Sequence, residues 1–158
     1  MNGALRQVQL LVDEAYTGRS WHGTTLRGSI RGLSPAEAGW RPGRGRHNIR
    51  EIVLHAAYWK YAVRRRISGD KRGSFPLKGS NFFLRPARGE ETTWADEVAL
   101  LDSEHALLRK MIASLGDRDL LRRSPGTRFT TGGLIRGIAA HDLYHAGQIQ
   151  LVKRLMKR

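Results

Sequence analysis

The chain has 158 residues, 40% of them hydrophobic, with 28 Lys and Arg against 14 Asp and Glu, a formal charge of +14. It contains no cysteine, which excludes disulfides, thiolate metal sites, a CxxC redox pair and a cysteine nucleophile. The length fits one domain over residues 1–158, no apolar run approaches the roughly 18–20 residues of a membrane span, and the opening Met1-Asn2-Gly3-Ala4-Leu5-Arg6 lacks a signal-peptide layout, so a soluble cytoplasmic protein is expected.

Four segments space their apolar residues as amphipathic helices do. The first sets Met1, Leu5, Val8, Val12 and Ala15 on one stripe. Thr17-Gly18-Arg19-Ser20 interrupts it, and a shorter helical piece follows with Leu26 and Ile30. Ser34-Pro35-Ala36-Glu37 reads as a capping box with proline at the first helical position. Gly39 to Arg46, with Pro42, is a loop. The second long segment opens at Asn48-Ile49-Arg50-Glu51, an asparagine cap with glutamate three residues on. Its stripe reads Ile52, His55, Trp59, Ala62 and Ile67. From Ser68 to Glu91 runs a Gly-, Pro- and Ser-bearing stretch that includes Phe75, Phe82 and Phe83. It is too long for an idle connection and is expected either to cross over a bundle end or to form a lid.

The third segment starts at Thr92-Thr93 and carries Trp94, Val98, Leu101, His105, Leu108, Ile112 and Leu115. Gly116 to Arg128 is a polar link. The fourth begins near Thr130-Thr131 and carries Leu134, Ile138, His141, His145, Gln148, Val152 and Leu155. No strand alternation, hairpin signal or internal repeat competes. The predicted fold class is all-α, a four-helix bundle with a long crossover between the second and third long helices. On the last helix Gly137, Ala140, Tyr144, Gly147 and Leu151 form a further stripe, which fits close packing across a dimer interface or inside one bundle.

The positive charge is uneven. Ten Lys and Arg lie between Arg41 and Arg72, against Glu51 and Asp70, and the tail ends Lys153-Arg154 and Lys157-Arg158. No RNP, helix-turn-helix or zinc-finger pattern accompanies them. A solvated basic surface is therefore favoured over a nucleic-acid footprint, with attraction of a small anionic substrate as a third use.

Three of the six histidines interrupt apolar stripes on two different helices. His141 and His145 stand four apart on one helical face, a spacing that suits two bonds to one metal ion. His55 lies on the seam of the second long helix. Three imidazoles from two helices would make an open site with room for water or substrate. The alternative is three separately satisfied core histidines, since burying imidazole without a partner costs about 1–3 kcal/mol. His105 reads as a core residue, with a fourth-ligand or supporting role as the alternative. His22 and His47 read as surface or capping residues.

The run His141-Asp142-Leu143-Tyr144-His145-Ala146-Gly147-Gln148-Ile149 resembles the last-helix motif of the DinB-like family of damage-inducible, YfiT-type metalloenzymes. Asn48-Ile49-Arg50-Glu51-Ile52-Val53-Leu54-His55 is similar to that family's second-helix entry, and Trp40-Arg41-Pro42 and Trp21-His22-Gly23 fit the segments before it. The resemblance runs over essentially the whole chain. It implies an up-down-down-up bundle and a divalent metal held by His55, His141 and His145, and it supports a homodimer. Members with assigned activity are mostly thiol-dependent S-transferases or isomerases using low-molecular-weight thiols. The family's usual Trp-Ser before the second helix is here His47-Asn48, which leaves the cap intact and puts the site entrance in question.

Three neutral ligands would leave a metal its full +2 charge, enough to ionise a bound water near pH 7 or to hold a thiol as thiolate. Without cysteine, the thiol must be external, a bacillithiol- or mycothiol-like cofactor. Zinc suits three imidazoles, nickel is the other favoured ion, and manganese and iron remain compatible. Glu51, Tyr58 and Gln148 are the candidate catalytic residues, each with capping, packing or bundle hydrogen bonding as its alternative. The expected function is metal-dependent thiol transfer to a small electrophile. The alternatives are a metal-dependent hydrolase and a non-enzymatic basic nucleic-acid-binding bundle.

Overall fold

Each apolar stripe folds as a helix between caps written into its own ends. The computed structural model describes residues 3–85 and 92–157; Met1 of the first stripe, Glu91 at the end of the long connection and Arg158 of the basic tail lie outside them. The helices are α1 (Ala4–Tyr16), α2 (Leu26–Ser29), α3 (Pro35–Gly39), α4 (Ile49–Ser68), α5 (Trp94–Ala113) and α6 (Thr131–Met156), with a 3-10 turn at Asp117–Leu121 inside the link before α6. Thr93 and Thr130 cap α5 and α6 through side-chain bonds to the amides of Asp96 and Gly133, and Ser34 and Glu37 form the expected capping box. Gly69 closes α4 in the left-handed conformation, φ 80°, a region that glycine enters without steric cost.

One local expectation fails. Asn48 caps α4 by accepting from the Glu51 amide at 2.9 Å, but the Glu51 carboxylate does not return to the cap as a capping box requires. It bonds instead to Arg41, His47 and the Arg85 amide. Charge-assisted bonds to a guanidinium outcompete one more amide contact.

Ion pairs and other side-chain contacts between helices give their directions. Arg50 meets Glu97 and Arg64 meets Glu104, so α4 and α5 run parallel. Asp13 meets Arg109 and Tyr16 meets Asp102, so α1 opposes α5. His55 faces His145 and Lys60 meets Asp142, so α6 opposes α4. The four long helices therefore run up-down-down-up, and parallel α4 and α5 require the long connection between them. In its described part that connection lies along α4: Phe83 is buried, and Phe75 packs against Tyr58, Tyr61 and Phe83.

The core falls into two apolar clusters. One gathers Leu26, Ile52, Val53, Trp94, Leu101 and Ile149; the other gathers Val12, Val63, Leu108, Ile112, Leu134 and Ile138. A polar layer joins α1, α4, α5 and α6. In it the fully buried Lys60 ammonium is paired with the Asp142 carboxylate and lies 4.7 Å from the Tyr16 ring centroid. His105 stacks on the same tyrosine at 3.7 Å. The stripe Gly137, Ala140, Tyr144, Gly147 and Leu151 is exposed, so it does not serve packing inside the bundle. Among the described residues no helix is long and apolar enough to cross a membrane.

Two outcomes are expected. Lys60→Met should destabilise the fold by about 3–5 kcal/mol by stranding the Asp142 charge, and Lys60→Met/Asp142→Leu should recover much of the loss in denaturant titrations. Burial, then the charges of Lys60 and Arg109, lower His105 from 6.5 to about 3. Between those values the unfolded chain binds a proton that the folded chain refuses, so stability falls as pH drops through this window. Urea midpoints at about pH 7 and about pH 4.5 should differ less in His105→Leu than in the native chain.

Candidate metal centre

Antiparallel packing of α4 on α6 brings His55 against the His141–His145 face, and the three rings meet through their Nε2 atoms. Both His55 Nε2 and His145 Nε2 lie 3.1 Å from His141 Nε2. His55 and His145 are buried and His141 is partly exposed, and among the described residues these three form a group that could hold a metal ion.

The opposite ring nitrogens decide what the Nε2 atoms carry. His55 Nδ1 donates to the Asn81 carbonyl at 3.0 Å, and His145 Nδ1 donates to Gln148 Oε1 at 2.6 Å. Each neutral ring has one proton, so both Nε2 atoms present lone pairs. A proton on His141 Nε2 could satisfy one of them and would leave the other facing a donor already used. Burial lowers the pKa of all three rings first of all: His141 to about 3, helped by His145, His55 and Lys60; His145 to about 4, against the bond to Gln148; and His55 below its usual value, against the bond to Asn81. Neutral imidazoles with converging Nε2 atoms, two of them buried and presenting lone pairs, are the kind of donor set that a divalent cation takes.

Around this cluster the long connection and the loop before α4 form a wall. Phe82 stacks on His55 at 3.9 Å and on His47 at 3.8 Å, between the two imidazoles. Asn81 holds φ 65°, where asparagine is tolerated, and its side-chain oxygen accepts from Trp59 Nε1 at 3.0 Å. One loop residue thus orients a histidine through its backbone and a tryptophan through its side chain. Arg85 pins the end of the described segment, giving its amide to Glu51 and its guanidinium to Glu97.

The candidate catalytic residues separate. Gln148 touches the cluster through His145 and also donates to the Tyr144 hydroxyl at 3.2 Å. Glu51 is fully buried; burial pushes its carboxyl up, but the bonds from Arg41, the Arg85 amide and His47 together hold it below its usual value. Both its oxygens are engaged. Tyr58 packs edge-on against Phe75 and Trp59 in the aromatic seam under the connection. His105 lies in the core, away from the three-ring group.

His22 is exposed, as expected of a surface histidine. His47 is more than a surface or capping residue: it donates to Glu51 at 2.8 Å and covers one face of Phe82. Sequence reading also missed the parts played by Asn81, Phe82 and Lys60. The only available signal for Asn81 was its place after Gly79-Ser80, in a turn-prone stretch.

The model of the DinB superfamily matches residues 20–149, most of the chain. No curated protein and no solved structure matches it.

Gln148→Leu should lower divalent-metal affinity roughly 10–100-fold by freeing the His145 ring, since ligand-orienting partners carry that much. Equilibrium dialysis would measure the loss, with an unchanged helical CD spectrum separating it from unfolding.

Proposed function

The chain belongs to the DinB superfamily, and on that premise we propose that it is a divalent-metal-dependent enzyme that transfers a low-molecular-weight thiol to a small electrophile. The observation that carries this reading is the meeting of three imidazole Nε2 atoms from two helices, two of them with the opposite nitrogen committed to another acceptor. In this reading His55, His141 and His145 hold the ion, zinc or nickel foremost, with manganese and iron compatible with the same ligand type.

A divalent ion with three neutral ligands supplies an undiminished +2 charge that favours the ionised form of a thiol or water brought to it. The chain's own share is to keep the ligands unprotonated and aimed. Burial does the first, and the Asn81 carbonyl and the Gln148 amide do the second. Phe82 covers one face of His55 with apolar surface and excludes water on that side. Glu51, with both oxygens engaged, acts as a positioning residue that ties the loop before α4 and the connection to the helix. The chain has no cysteine, so the thiol comes from outside and is of the bacillithiol or mycothiol kind.

Protein purified without a metal-affinity tag, or reloaded with zinc, nickel or manganese, should carry close to one divalent ion per chain. His55→Ala and His141→Ala should lose it while keeping the helical CD spectrum. The loaded wild type should consume thiol in the presence of a small electrophile, and the chelated protein should not. Refusal of all three metals would overturn the proposal. Ester turnover without thiol consumption would move the assignment to hydrolysis.

A further inference from the structure

Beside the three imidazoles, α4 and α6 part to leave a cavity of about 250 Å³. Trp59, Phe129, Leu134 and Ile138 give it apolar walls, and of the three candidate ligands only His141 reaches it. The volume lies just under the roughly 300–1,000 Å³ of ordinary small-molecule sites, so its occupant is compact. The apolar lining is not core that failed to close. Phe129 stands 52% exposed at the rim, and at Gly137, within α6, an added Cβ would meet no other atom within 4 Å. Glycine in a helix interior costs about 1 kcal/mol relative to alanine, and here no packing neighbour requires it. Its consequence is the open space of the cavity.

The charge at this cavity has one sign. Arg66 lines it, with its guanidinium 5.5 Å from the Trp59 ring centroid. Arg128, beside the cavity, holds its guanidinium 5.3 Å from the Phe129 ring. Among the described residues neither has a carboxylate partner, although Arg41, Arg50, Arg64, Arg85 and Arg109 all do. Among the described residues no Asp or Glu lines the cavity. An apolar slot with an unpaired guanidinium on an aromatic wall suits a ligand with an apolar body and one anionic group.

We infer that this cavity is the substrate pocket, and that the small electrophile carries, besides its electrophilic carbon, a compact apolar body that lies against Trp59 and Phe129 and a carboxylate that lies on Arg66. The inference rests on the metal-centre reading above for the chemistry, and on the cavity alone for the recognition.

The test uses 4-phenylbutyrate, the neutral 4-phenyl-1-butanol and butyrate as probes, titrated by calorimetry into metal-loaded and chelated protein, with metal content measured in every sample. The carboxylate with the ring should bind at least tenfold tighter than either partial probe. Gly137→Leu, which puts a side chain into the cavity from a helical position where an added Cβ has room, should weaken 4-phenylbutyrate at least tenfold without loss of metal. Arg66→Gln should abolish the preference for the carboxylate over the alcohol and leave alcohol binding unchanged. Unaltered 4-phenylbutyrate affinity in Gly137→Leu would overturn the pocket. A preference for the carboxylate that survives Arg66→Gln would overturn the anion site and place the carboxylate on the metal instead. The expected pattern in protein that takes up no metal would uphold the pocket while overturning the metal centre. Bound metal with no response to Gly137→Leu would overturn the pocket alone.

Discussion

The Lys60–Asp142 pair sets the terms for the rest of the molecule. An ammonium and a carboxylate with almost no exposure to water are tolerated only while they face each other, because either alone carries a desolvation cost of several kcal/mol. Burial pulls the lysine down and pushes the aspartate up, and their mutual attraction opposes both shifts. The pair joins α4 to α6, so sliding one helix along the other would separate two charges inside apolar surroundings. Asp142 follows His141 directly, and successive helical residues point in directions about 100° apart. The register that seats Asp142 in the core therefore turns His141 toward the edge of the helix pair, where it meets His55 on one side and the cavity on the other. Helix register and histidine convergence are thus one constraint.

The connection between α4 and α5 follows from the same geometry. Parallel neighbours cannot be joined by a short turn, so the chain must travel the length of the bundle. Here that length is used. Residues 81–85 supply a carbonyl to His55, a side-chain oxygen to Trp59, an aromatic plate between His47 and His55, and a bridge from Arg85 to two buried glutamates. The stretch that the sequence allows as either a crossover or a lid is, over residues 81–85, a wall of the site.

The basic charge divides in a way that bears on function. Of the ten Lys and Arg between Arg41 and Arg72, Arg41, Arg50, Lys60 and Arg64 are spent on internal acids. The densest run of positive charge in the chain is therefore partly structural, spent on buried acids that hold the helices together. Arg66, which has no carboxylate partner among the described residues, stands at the wall of an apolar cavity that His141 also lines.

The helices, their caps, the all-α class and three histidines on two seams are legible without the fold, because those signals come from contacts within one or two turns: apolar spacing, a threonine or asparagine facing its own first-turn amides, two histidines four residues apart. Sequence reading has a limit. It could not show that Glu51 abandons the capping box, since its competitors Arg41 and Arg85 lie 10 and 34 residues away. Nor could it assign the ring tautomers, because a backbone carbonyl such as that of Asn81 has no side-chain letter, or separate buried Lys60 from the arginines that follow it, since a lysine reads as solvated until a partner 82 residues away is packed against it. Those decisions belong to tertiary structure, where burial removes water as the default partner and each polar group takes whichever neighbour the packing provides.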